Sequence, residues 1–386
     1  MVTREIAAQI RQHAKKMPVI ALTGPRQSGK TTLVKSLFPD YIYLNLEFPD
    51  VRARAQDDPR LFLQNTSGII LDEIQRVPEL FSYIQGFVDE QQKPGHYILT
   101  GSQNFLLLEH ISQSLAGRVA LFNLLPFSLS EIHSEYPLPD SYLPIMFQGA
   151  YPRLYDKKLQ PQEWYPSYIQ SYLERDVRQI VNVKNLNKFQ TFLKLCAGRI
   201  GQIFNASSIA TEIGVDYKTV QSWVSILQAS FIIFLLQPYY KNFNKRLVKS
   251  PKLYFYDTGL ACSLLGIRTA EDLMVHYLKG ELFESFVIAE LFKKKYHMNH
   301  PADLYYWREN TGREIDCLIE QGAKLQAVEI KSGMTINSDF FKGLEFWKNL
   351  TGASSQQCTL IYGGTEEQQR SQASVLGWKR AASLLT

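Results

Sequence analysis

One stretch, Gly24-Pro25-Arg26-Gln27-Ser28-Gly29-Lys30-Thr31, constrains the fold of this 386-residue chain more than any other. The apolar run Val19–Leu22 precedes it and Leu33-Val34 follows, so the segment reads strand, glycine-rich loop, helix. It satisfies the pattern G-x-x-x-x-G-K-[ST] in full. Gly24 and Gly29 let backbone N–H groups close around phosphate oxygens with no Cβ in the way, and the helix that follows points its positive end at them. Pro25, Arg26, Gln27 and Ser28 supply the rest of the cradle, and Thr32 continues it into the helix. Lys30 has the reach for β- and γ-phosphates, and the Thr31 hydroxyl suits Mg²⁺. The implied ligand is a nucleoside triphosphate.

A second element fits the first. Ile69-Ile70-Leu71-Asp72-Glu73 is a short apolar run ending in two carboxylates, 42 residues after Lys30 at Asp72. A buried parallel strand would deliver such acids to its C-terminal edge, where open α/β sheets place ligands. There Asp72 would hold Mg²⁺, directly or through water, and Glu73 would polarise the water that attacks the γ-phosphate. The pair favours hydrolysis over binding alone.

Length leaves room for two or three domains and a substantial core. The longest purely apolar run, Phe231–Leu236, is far too short to cross a bilayer, so no membrane partner is expected. The start, Met1-Val-Thr-Arg-Glu, lacks the apolar segment of a secretory signal. Cys196, Cys262, Cys317 and Cys358 stand apart without zinc-type spacing, which predicts reduced core thiols and a cytoplasmic setting. His297 and His300 lack a third ligand nearby in sequence. Net charge is +5 but uneven. Residues 1–135 carry 13 Lys/Arg against 14 Asp/Glu, and the remainder carries 29 against 23. Attraction to polyanions therefore belongs to the C-terminal two-thirds.

Residues 1–135 alternate between strand and helix patterns, with strands expected at Val19–Leu22, Tyr41–Leu46, Ile69–Leu71, Tyr97–Thr100 and Val119–Leu124. That alternation predicts a parallel sheet with helices on both faces. After the fourth strand, Ser102 or Gln103 could sit beside the γ-phosphate as a sensor, or Ser102 could simply cap a helix. Arg118, just before the fifth strand, is either a surface residue or an arginine finger offered to a neighbouring subunit.

Pro126 to about Pro166 is rich in Pro and Tyr and reads as a connector. Beyond it Ile169, Tyr172, Leu173, Val177 and Ile180 recur at helical spacing, predicting a helical, lid-like piece within 136–204. Residues 205–260 form a further module. Asn205 and Asp216 suit helix caps, Gly214 suits the turn between, and Val220, Trp223, Val224 and Leu227 line one helical face. That is helix-turn-helix spacing, with Phe231–Leu236 and Lys252–Tyr256 as strands of a wing. From Tyr217 to Tyr256 no acidic residue occurs, and Lys218, Lys241, Lys245, Arg246, Lys249 and Lys252 interleave with Tyr239, Tyr240 and Phe243. Contact with DNA phosphates is one reading and packing between domains the other.

Residues 261–386 carry a third constellation. A helix opening at Gly280-Glu281-Leu282-Phe283-Glu284 is followed by strands Leu304–Arg308, Glu314–Ile319 and Leu325–Ile330. Alternation places Glu329 and Lys331 on one strand face with Ile330 on the other. Asp316 and Glu329 would hold one or two Mg²⁺ or Mn²⁺ ions, Lys331 would orient the attacking water, and Glu284 would complete a phosphodiester-cleaving site. A surface ion pair is the plainer reading of any E-x-K.

Taken in order, GPRQSGKTTL, IILDEIQ, LTGSQNFLL, SLAGRV, YLERDV, PKLYFYDTGL, GELFESFV, REIDCLIE and VEIKSG resemble an archaeal and bacterial family of AAA+-type ATPases. Members join an N-terminal P-loop domain to a winged helix and a restriction-endonuclease-like PD-(D/E)xK domain. The resemblance spans nearly the whole chain. It implies nucleotide and Mg²⁺ roles for Lys30, Thr31, Asp72 and Glu73, a sensor at Ser102 or Gln103, and a trans-acting Arg118. It also implies the nuclease-fold set Glu284, Asp316, Glu329 and Lys331. The expected protein is α/β, Mg²⁺-dependent, homo-oligomeric, ATP-hydrolysing and DNA-binding. Either it cleaves DNA, or it is an ATP-gated regulator or scaffold whose nuclease-like domain is silent.

Overall fold

A computed structural model describes residues 2–64, 67–91, 93–101, 111, 113–172, 186–239, 249–298 and 303–385. The chain divides into two compact units: Met1–Phe127 with Ala229–Phe231 and Tyr296–His300, and then Ser128–Gln228, Ile232–Lys295 and Pro301–Thr386.

The first unit is built on a five-stranded sheet, β1 (Val19–Thr23), β2 (Ile42–Asn45), β3 (Ile69–Asp72), β4 (Tyr97–Thr100) and β5 (Val119–Asn123). All pairings are parallel, in the order β2-β3-β4-β1-β5. Because β1 is central, both its faces are buried. Val19 and Ala21 pack with Leu71, Leu99 and Ile84 on one side, whereas Ile20 and Leu22 pack with Ile10, Val34 and Ile98 on the other. A strand buried on both faces shows a continuous apolar run rather than alternation, as Val-Ile-Ala-Leu does. Register aligns the strand ends: Asn45 lies beside Asp72, Asp72 beside Thr100, and Thr100 beside Leu22. The loop after β1 and the acids of β3 therefore meet at one edge.

In the second unit the stretch that reads as a connector is instead packed structure. Prolines sit in the first turns of the helices Leu143–Gln148, Pro152–Asp156 and Pro161–Tyr172, where a missing N–H costs nothing. Tyr142, Tyr151, Tyr155, Trp164, Tyr165 and Tyr168 are all buried, with Trp164 stacked on Tyr168 at 4.9 Å. Buried Asp257 ties this layer down, accepting from Ala150 N at 2.7 Å, Leu260 N at 2.8 Å and the Tyr165 hydroxyl at 2.6 Å. Pro and Tyr mislead here because both also start and fill helices. Leu173, Val177 and Ile180 lie outside the described residues.

Two helices, Ala206–Ile213 and Tyr217–Ala229, follow as expected. Asn205 caps the first through Ser208 N, Gly214 turns the chain at φ 69°, and Asp216 caps the second through Thr219 N. The two strands after them, β6 (Ile233–Pro238) and β7 (Lys252–Phe255), pair antiparallel. They do not stand apart as a hairpin. β6 also runs parallel to β8 (Asp303–Arg308), so both extend a larger sheet with β9 (Glu314–Gln321), β10 (Lys324–Lys331), β11 (Cys358–Tyr362), β12 (Gln368–Gln369) and β13 (Ser374–Gly377). Its order is β12-β13-β11-β10-β9-β8-β6-β7. The helix Lys342–Thr351 covers it through Leu344 and Trp347, the latter edge-on to Trp307.

Candidate functional site

At the edge of the first sheet, Gly24 has φ 145°, and a Cβ there would lie 2.1 Å from the Leu124 carbonyl oxygen. Only glycine fits. Gly29, at φ 92°, is the N-cap of the helix Lys30–Leu37. Lys30 is buried and its Nζ donates to the carbonyls of Gly24 at 2.9 Å and Pro25 at 2.8 Å, lying across the mouth of the loop. The buried Ser28 Oγ has no protein partner among the described residues, as suits a group facing phosphate. Behind the loop, buried Arg4 braces it, with NH1 donating to Ser28 O at 2.8 Å and NH2 to Leu125 O at 2.5 Å.

Thr31 Oγ1 donates to Asp72 Oδ2 at 2.8 Å, which brings the two expected metal-holding groups together. Tyr43, from β2, donates its hydroxyl to the same oxygen at 2.7 Å, and Thr100 donates to Oδ1. Burial and the bond to Asp72 push the Tyr43 hydroxyl pKa well up, so it remains a donor. Hydroxyl plus carboxylate oxygens, with no soft ligand, are the donors that Mg²⁺ prefers, and the residues fit it. Glu73 adopts φ 57°, ψ 43°, a left-handed conformation that costs a non-glycine residue roughly 1 kcal/mol or more. Its carboxylate accepts from the Gln75 amide. Pro25, Arg26, Gln27 and Thr32 belong to the same loop and helix start. Ser102 and Gln103 lie outside the described residues. Arg118 sits before β5, at the opposite end of the sheet from the loop, where Asp89 holds it through bonds of 2.6 and 3.0 Å.

The second unit also gathers the acids that sequence placed together. Asp316 and Glu314 come from one face of β9, Glu329 and Lys331 from β10, and Glu284 from the helix Lys279–Met298. One carboxylate oxygen each of Glu284, Glu314 and Asp316 lies within 4.8 Å of the others. Glu329 is set toward Lys331 Nζ at 2.6 Å, and Lys331 is 3.7 Å from Asp316. Burial, reinforced by the Asp316 charge, pushes the Glu329 carboxyl up to about 8. Burial also drives Glu284 up to about 7, against the pull of Lys252. Sequence reasoning passed over Glu314, although its i−2 spacing from Asp316 puts both on one strand face.

Of the expected polyanion contacts, Lys218 and Lys249 are exposed, and Lys241, Lys245 and Arg246 lie outside the described residues. Two of the wider set are corrected by burial. Lys252 is 3% exposed, and Tyr239 belongs to the core beside Trp307, so neither is available to DNA. The solvent face of the helix Tyr217–Ala229 presents Tyr217, Lys218, Gln221, Ser222 and Ser225.

Comparison with known proteins places this geometry in a class. Residues 16–133 match the AAA domain, so the first unit is an ATP-binding P-loop domain of the AAA type. Residues 140–271 and 279–380 match two domains of unknown function, DUF8612 and DUF4143. "Uncharacterized protein Rv2008c" of Mycobacterium tuberculosis is 32% identical over 341 residues, covering 86% of this chain and 74% of the mycobacterial one. "Uncharacterized protein Mb2031c" of Mycobacterium bovis matches with the same figures. The chain belongs to the family of these mycobacterial proteins. Among solved structures, it is similar to a Walker-type ATPase of Pyrococcus abyssi at TM-score 0.43 and 14% identity, over 68% of this chain and 96% of that one. It is also similar to the RuvB Holliday junction branch migration motor of Thermotoga maritima at TM-score 0.31 and 15% identity, over 60% and 89%. Among the described residues no helix is long and apolar enough to cross a membrane.

Proposed function

We propose that the protein is a Mg²⁺-dependent ATPase that acts on DNA through its second unit. The observation that carries the reading is the convergence of Lys30, Thr31 and Asp72 on one strand edge with Glu73 next in sequence. Bound Mg²⁺ would neutralise charge between the β- and γ-phosphates. Everything else falls to the chain. The loop amides and Lys30 hold the triphosphate, turning the ammonium from the Gly24 and Pro25 carbonyls to phosphate oxygens. Thr31 and Asp72 position the metal, and Glu73 accepts the proton of the attacking water. Gln75 restrains that carboxylate until substrate is in place.

DNA binding rests on the helix pair around Gly214 and on the acid-free stretch from Tyr217 to Tyr256, with Lys218, Lys241, Lys245, Arg246 and Lys249 toward phosphates. Assembly into a homo-oligomer would let Arg118 serve a neighbour's nucleotide once released from Asp89. The test is ATP turnover with and without single-stranded, duplex and branched DNA. We expect stimulation by at least one form, and collapse of turnover in Lys30→Ala and Glu73→Gln. Turnover undiminished in both variants would refute the reading.

Strand cleavage is the competing reading, which Lys331 beside Asp316 and Glu329 would allow only if a metal joined them. It requires a divalent ion among those acids, and DNA that is cut in Mg²⁺ or Mn²⁺ by the wild type but not by Asp316→Ala would establish it.

A further inference from the structure

The acidic pocket of the second unit contains a cation already. Lys252, the first residue of β7, has a side chain only 4% exposed, and its Nζ donates to Glu284 Oε1 at 2.8 Å and to Glu314 Oε1. These are two of the three carboxylates that lie close enough together to grip an ion. We propose that Lys252 is the resident cation of this pocket, occupying the place a divalent metal would take, so that the C-terminal domain is a metal-free ion network without nuclease chemistry.

Three observations carry the proposal. First, each of the three acids already accepts from a donor besides Lys252. Tyr254 donates its hydroxyl to the same Glu284 oxygen, Arg308 NH1 reaches Glu314 Oε2 at 3.1 Å, and Ile330 N donates to Asp316 Oδ2 at 2.7 Å. A Mg²⁺ ion needs oxygens about 2.1 Å away in near-octahedral order, and at least one oxygen of each acid is already turned to another donor.

Second, the charges nearly close. Glu284, Glu314, Asp316 and Glu329 face Lys252, Lys331 and Arg308, which leaves a single negative excess.

Third, Lys331 already supplies the single lysine that an E-x-K hydrolytic arrangement uses. Lys252 is therefore a second ammonium, bonded to two of the three acids whose oxygens lie close enough to hold an ion. For a divalent ion to enter, this ammonium would have to leave its partners and remain buried without them. That penalty is large. Glu284 and Glu314 keep Lys252 firmly protonated, although burial works against its charge.

The proposal does not depend on ATP hydrolysis by the first unit. It predicts that removing the ammonium turns the pocket into a metal site. Full-length wild type, Asp316→Asn, Lys252→Met and Lys252→Met/Asp316→Asn would be titrated with Mn²⁺ without nucleotide, reading free Mn²⁺ by electron paramagnetic resonance and the melting temperature in parallel. In wild type, Asp316→Asn should make no difference to Mn²⁺ uptake. Lys252→Met should melt lower, regain several degrees with Mn²⁺, and bind it at least about tenfold more tightly than wild type. The added Asp316→Asn change should abolish that gain. Wild-type Mn²⁺ uptake that Asp316→Asn removes would overturn the proposal, as would a folded Lys252→Met that takes up no Mn²⁺. Should Lys252→Met not fold, Lys252→Gln keeps a polar head of similar reach, and the wild-type comparison with Asp316→Asn still decides.

Discussion

Asp72 and Asp316 are both buried strand carboxylates at the focus of a polar cluster, one in each compact unit. Their surroundings differ in one respect. Among the described residues, Asp72 takes its hydrogen bonds from the hydroxyls of Thr31, Tyr43 and Thr100. Asp316 and the acids beside it face the ammoniums of Lys252 and Lys331. Hydroxyl dipoles orient a carboxylate without bringing a countercharge to it. Ammoniums cancel the charge as they orient it, so the second cluster is balanced to within one charge. Two groups of acids that look alike in sequence thus differ in what they can still attract.

That contrast can be broken most severely at Asp72. In Asp72→Asn the hydroxyls keep a partner but the charge is gone, and ATP turnover should fall roughly 10²-fold or more. Turnover near wild type would mean that the charge there is not held for a metal. Next in size is the loss of a buried counter-ion. Lys252→Met strands Glu284 and Glu314, and chemical denaturation without metal should show a loss of about 3–5 kcal/mol. A cost near zero would make the second cluster as uncompensated as the first. A smaller effect is expected for Tyr43→Phe, which removes one hydroxyl from Asp72 at a cost of about 1 kcal/mol. It should raise the Mg²⁺ concentration for half-maximal ATP binding several-fold, read with a fluorescent ATP analogue, and an unchanged requirement would leave Tyr43 a packing residue.

The mildest test is pH. The Glu329 carboxyl is raised from its ordinary 4.5 to about 8, chiefly by burial and then by the Asp316 charge. The folded state therefore holds a proton that the unfolded chain releases. This contribution is fully present below about pH 4.5 and is lost as pH rises toward and through 8. Thermal melts from pH 5 to 9 should decline with pH in wild type and be flatter in Glu329→Gln. Equal slopes would place the proton elsewhere.

Much of the first unit was legible because its signals are local. The strand positions follow from short apolar runs, and Gly24, Gly29, Lys30, Thr31, Asp72 and Glu73 come from two contiguous motifs whose spacing carries their chemistry. Tyr43 and Arg4 were not legible. Neither belongs to a motif, and each matters only because β2 or the N-terminal segment folds back against the loop. In the second unit the helix caps Asn205 and Asp216 were readable from residue type, since a cap acts on the three residues after it. The prolines between 126 and 166 were not, because a proline that starts a helix and one that breaks a chain look the same until burial is known.

Lys252 shows where sequence reading stops. In the chain it is one of six basic residues in an acid-free stretch, and linear charge counting assigns it to a polyanion. Folding takes β7 onto the edge of an eight-stranded sheet and brings Lys252 against Glu284, 32 residues on, and Glu314, 62 residues on. By itself the amino-acid order determined a phosphate cradle, its paired acids and the parallel strands that carry them, all through short-range pattern. Which acids remain charged and open, and which are already matched by a lysine, was decided only by tertiary structure. Electrostatic free energy depends on distance and burial in space, and neither is written along the chain.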